Sequence, residues 1–95
     1  MAKSIIQDKK ECFLTGATYD LHEHHIFFGT GNRQLSEKYG LKVWLRADLH
    51  NMSNKGVHFN RELDLQLKRM AQEKTMRHYG WTTQDFIKIF GKSYI

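Results

Sequence analysis

The chain has 95 residues, 40% of them apolar, with six histidines and a single cysteine. That length holds one core rather than two, and one cysteine excludes an internal disulfide framework while fitting a reducing, cytoplasmic setting. Fifteen Lys and Arg against ten Asp and Glu leave a net charge of +5, a balance that suits a polyanionic partner. No apolar run approaches the roughly 20 residues of a membrane-spanning helix, so no membrane partner is expected. Met1-Ala2-Lys3-Ser4 lacks the apolar stretch of a signal peptide.

Residues 1–9 are polar and lysine-rich, as in a loose arm. Glu11 to Leu14 reads as a short strand, Thr15-Gly16-Ala17-Thr18 as a turn, and Tyr19 to Phe28 as the returning strand anchored by Leu21, Ile26 and Phe27. Two runs around a glycine-containing turn predict a hairpin. Gly29 to Arg33 breaks the pattern, and Gln34 to Tyr39 forms a helical turn started by Asn32 or Ser36 and stopped by Gly40. Leu41 to Leu45 is a short strand or buried extended segment. Ala47 to Met52 begins a short helix that Ser53 to Gly56 interrupts.

The clearest helix runs from Asn60 to His78, capped by Asn60, favoured by Glu62 in its first turn and stopped by Gly80. Leu63, Leu67, Met70 and Ala71 recur at helical spacing and form its core face. A last helix starts at Thr82 or Thr83 and turns Phe86, Ile87 and Phe90 inward before Gly91. The whole is one α+β domain.

The chemistry concentrates in the histidines. His24 and His25 are adjacent on the predicted strand, and His50-Asn51 and His58 follow downstream. Neighbours on a strand point to opposite faces, which is awkward for a core and useful where one imidazole holds an ion while the next activates water. Neutral imidazole binds divalent transition ions, and an incomplete protein ligand set leaves positions for water and a phosphate oxygen. A histidine off the metal can accept a proton near neutral pH. The set points to metal-assisted hydrolysis. His22 and His78 are read as ordinary surface or core residues.

Glu23-His24-His25-Ile26, Val43-Trp44-Leu45, His50-Asn51 and Gly56-Val57-His58 resemble the HNH endonucleases, most of all the compact versions carried by bacteriophages. The resemblance covers about residues 11–60 and leaves 60–95 as additional C-terminal helices. It implies a ββα-metal finger: a hairpin and a helix gripping one divalent ion, Mg²⁺ or Mn²⁺ foremost, with Ni²⁺ or Zn²⁺ as further candidates. By position, His24 and His50 match metal ligands and His25 the general base. His58 matches the last histidine, which binds metal or the scissile phosphate, and Asn51 or Asn54 takes part of that role.

The family's middle asparagine has no match, because Lys42 lies there. Many relatives also carry paired cysteines for a structural zinc. Here Cys12 is followed by Thr15 where its partner would be, and Arg46 and Leu49 occupy the downstream pair. No structural zinc is expected. Apolar contacts from Phe13, Leu14, Leu45 and Leu49 take its place, with Cys12 as a buried remnant.

The activity implied is nicking of DNA, with Arg33, Lys55 and Arg61 as candidate phosphate contacts. The chain would act as a monomer or homodimer, alongside a phage or host replication or recombination protein. Two rivals stand beside it: a non-catalytic DNA-binding or recombination accessory on the same fold, and a phage-encoded inhibitor that binds a host protein.

Overall fold

The computed structural model describes residues 3–29, 31–52 and 60–95, with residues 51 and 52 as backbone only. Among them the elements run β1 (Leu21–His25), α1 (Asn32–Tyr39), β2 (Lys42–Arg46), a π-helical turn (Asp48–Met52), α2 (Arg61–Tyr79) and α3 (Thr83–Phe90). The fold is α+β. The expected break at Ser53 to Gly56 lies outside the described residues.

The predicted hairpin is corrected by the pairing. β1 is antiparallel to β2, not to residues 11–14, with Leu21 opposite Arg46 and His25 opposite Lys42. Val43, Trp44 and Leu45 supply the β-branched and aromatic surface a strand favours, whereas residues 11–14 close a tight turn. There the Gly16 N–H donates to the Cys12 carbonyl at 2.8 Å and the Cys12 N–H to the Ala17 carbonyl at 2.7 Å. Asp20, with φ of 52°, then bends the chain into β1, so that strand begins two residues later than Tyr19.

The N-terminal segment, expected to be loose, lies along the outer edge of β2. The Ser4 hydroxyl donates to the Lys42 carbonyl at 2.6 Å, and the Trp44 N–H donates to Gln7 Oε1 at 2.8 Å. The Phe13 N–H reaches the Trp44 carbonyl at 2.8 Å. Side chains thus cover an edge that would otherwise invite pairing with another chain.

Gly40 fixes this approach. Its φ is 76°, and a Cβ there would overlap the Lys3 carbonyl oxygen, so only glycine fits. Directly before this turn, the buried Ser36 hydroxyl donates to the Phe27 carbonyl at 2.7 Å and accepts from the Phe27 N–H at 3.0 Å. α1 is therefore pinned to the end of β1.

The core gathers Ile26, Phe27, Leu41, Val43, Leu45, Leu67, Ala71, Phe86 and Phe90. Phe27 lies at its centre, with ring centroids 5.4 Å from Phe86 and 4.8 Å from Phe90. α2 has the expected start: Asn60 accepts from the Leu63 N–H. α3 opens on a reciprocal capping pair between Thr82 and Asp85. Ile89 rather than Ile87 joins the core from α3, because i+3 from Phe86 returns to the same face.

Buried Gln72, outside the predicted core stripe, donates to Ser93 Oγ at 3.0 Å and accepts from the Tyr94 N–H at 2.7 Å. It ties the C-terminal residues to α2. No helix among the described residues is long and apolar enough to cross a membrane.

Candidate metal centre and its charged neighbour

Strand alternation splits the histidines of β1 into two sets. His22 and His24 share a face with their cross-strand partners Leu45 and Val43, while Glu23 and His25 share the other with Trp44 and Lys42. On the first face the π-helical turn delivers His50. Its start is fixed by the Ala47 N–H, which donates to the Asp20 carbonyl at 2.8 Å, and by Arg46, whose Nε lies 3.2 Å from an Asp48 oxygen. Single π-helical turns are frequent at functional sites.

Three imidazoles meet there. The His22 and His50 Nδ1 atoms are 3.2 Å apart, one donating to the other. The His50 ring centroid is 5.3 Å from that of His22 and 5.1 Å from that of fully buried His24. Nitrogen ligands at about 2.0–2.1 Å from a tetrahedral ion lie about 3.3–3.4 Å from each other. The His22–His50 spacing is therefore within a few tenths of an ångström of a shared ion, and two imidazole nitrogens suit a divalent transition ion; among the described residues, three ligand atoms within 4.8 Å of one another are found instead at Glu23, His25 and Glu37.

His22, read from the sequence as an ordinary surface or core residue, lies on this face beside His50. The adjacent pair His24-His25 drew attention, although period-2 alternation joins His24 to His22 and separates it from His25.

His25 belongs to a different network on the opposite face. Its Nε2 is 3.0 Å from Glu37 Oε1 and 3.9 Å from Glu23 Oε1. Lys42 Nζ lies 2.7 Å from Glu37 Oε2 and 3.6 Å from Glu23 Oε2. His25 and Lys42 are both buried. The bond from Lys42, then that from His25, holds the Glu37 carboxyl down at about 2 against a usual 4.5. Glu23, His25 and Glu37 are close enough together to hold a metal ion, but the Lys42 ammonium already serves as their cation.

The remaining predicted residues are placed as follows. Arg33 is exposed in the first turn of α1, and Arg61 is exposed at the start of α2. Asn51 lies in the π-helical turn as backbone; Asn54, Lys55 and His58 lie outside the described residues. His78 is exposed beside the Tyr79 ring.

Where the resemblance would place paired cysteines, Cys12 and Arg46 bond to one another. Buried Cys12 accepts from the Arg46 N–H at 3.4 Å. Burial raises its thiol pKa, but bonds from the Thr15 side chain and the Arg46 backbone bring it below the usual value overall. Phe13, Leu45 and Leu49 pack against the core, as expected, while Leu14 is 40% exposed and does not.

Comparison with family models, with curated proteins and with solved structures gives no match.

Proposed function

We propose that this chain is a metal-dependent DNA endonuclease of the HNH type, acting in the cytoplasm, with β1, β2 and the following helical turn as its ββα-metal finger. The observation that carries the reading is the approach of the His22 and His50 Nδ1 atoms to 3.2 Å, with the His24 ring beside that of His50. His24 and His50 are the proposed metal ligands and His22 a third. Asn51, within the turn, and His58, which the resemblance makes a further ligand, are the other proposed members of the site. When bound, the ion supplies a Lewis acid for the phosphoryl group and the leaving 3′-oxygen. Imidazole donors favour Mn²⁺, Ni²⁺ or Zn²⁺ over Mg²⁺, which prefers oxygen.

His25 is the proposed general base. It is the last residue of β1 and projects from the face opposite His24. That role is carried over from the HNH resemblance, in which the second of the two adjacent histidines is the base. Arg33, Lys55 and Arg61 are proposed to hold the DNA backbone. The test is incubation of supercoiled and branched DNA with Mg²⁺, Mn²⁺ or EDTA. Metal-dependent nicking supports the endonuclease; salt-sensitive binding without cleavage identifies the non-catalytic accessory instead.

A further inference from the structure

We propose that Glu37 is the positioning residue of His25, selecting its Nε2–H tautomer and leaving Nδ1 to take the proton of the attacking water. The inference rests on the endonuclease reading above, in which His25 is the base and no asparagine stands at the place that would orient it.

Three observations carry it. First, Glu37 Oε1 meets His25 Nε2 at 3.0 Å. A carboxylate only accepts hydrogen bonds, so neutral His25 must carry its proton on Nε2 and its lone pair on Nδ1. Nδ1 makes no hydrogen bond among the described residues.

Second, the carboxylate cannot rotate freely. Its other oxygen accepts from Lys42 Nζ at 2.7 Å, and Lys42 stands directly across the sheet from His25. Third, the helix that carries Glu37 is fixed at the neighbouring residue, where the Ser36 hydroxyl makes its two bonds to the Phe27 backbone. A lysine at the position without an asparagine thereby acquires a role: it holds the carboxylate that holds the base.

The step balances with water as nucleophile. A water proton passes to Nδ1 while the water oxygen forms the new bond to phosphorus. The bond from phosphorus to the 3′-oxygen breaks, its electron pair leaves with that oxygen, and solvent protonates it. The imidazolium, stabilised by Glu37 through Nε2–H, then returns its proton to solvent.

The decisive variant is Glu37→Gln, which keeps shape. The Lys42 ammonium only donates, so it takes the amide oxygen and turns the amide NH₂ toward His25. Nε2 must then accept, and the proton moves to Nδ1. In the full-length chain, ¹⁵N spectra of the imidazole should show Nε2–H in the wild type and the reverse in Glu37→Gln. With Mn²⁺ and nicked product as readout, kcat should fall about 10²-fold or more, with KM within about twofold because Glu37 does not meet DNA. Glu37→Asp should keep the Nε2–H tautomer and part of the turnover, which tests the idea even if Glu37→Gln fails to fold.

An unchanged tautomer in Glu37→Gln would overturn the positioning role, and so would a reversed tautomer with undiminished kcat. A wild-type chain that shows the Nε2–H tautomer yet cuts no DNA would instead overturn the endonuclease reading and, with it, the catalytic part of this inference.

Discussion

Buried charge in a small domain is costly unless paired, and breaking one partner leaves the other uncompensated. Lys42 and His25 are buried, and Glu37 serves both. Its carboxyl titrates near 2 in the folded chain against an ordinary 4.5. A depressed carboxylate contributes stability that is present above its unfolded value and lost as pH falls through its folded one. The stability difference between wild type and Glu37→Gln should therefore be largest above pH 4.5 and shrink as pH falls toward 2. Thermal melts across that range would check it, and a difference that does not change with pH would show that Glu37 is not held ionised. Lys42 was legible in the sequence only as a departure from a pattern. Its role depends on a helix that returns between the strands, and spacing along the chain does not reveal that.

At the scale of elements, local signals were legible and pairing was not. Asn60, Thr82, Gly80 and Gly91 mark helix ends with side-chain and left-handed caps that act within a few residues. The partner of β1 is set instead by which distant segment buries the better face. Residues 11–14 lost to β2 because Val43 and Leu45 enter the core while Leu14 is exposed. The same pairing decides the proposed metal face: His22→Ala, His24→Ala and His50→Ala should each weaken Mn²⁺ or Ni²⁺ binding, by about tenfold or more, while His25→Ala should not. Titration calorimetry with unchanged affinity in all three would remove this face as the metal centre. The turn at Cys12 makes a separate prediction. The Arg46 N–H donates to the thiol, and Thr15 and Arg46 stand where the HNH resemblance would place thiolates, so purified protein should hold no zinc there. About one EDTA-resistant zinc per chain, retained in His24→Ala, would contradict this.

For the molecule as a whole, the net charge of +5 is the feature that suits the proposed DNA substrate. Phosphate contacts release counterions, so the log of affinity should fall linearly with the log of salt and show little sequence preference. Arg33→Ala, Arg61→Ala and Lys55→Ala should each reduce that slope by roughly one unit if the side chain meets a phosphate. A flat salt response, or one strongly favoured base sequence, would point to another partner. The measurement that reaches the central claim most directly is nicking of supercoiled DNA by the wild type, His24→Ala, His50→Ala and His25→Ala, with Mn²⁺ and with EDTA. The account predicts metal-dependent nicking by the wild type and none with EDTA. It predicts loss in the first two variants that tracks weakened metal binding. In His25→Ala it predicts a fall of about 10²- to 10⁴-fold with metal and DNA binding retained. Nicking that persists in EDTA, or at the wild-type rate in His24→Ala, His50→Ala or His25→Ala, would contradict it.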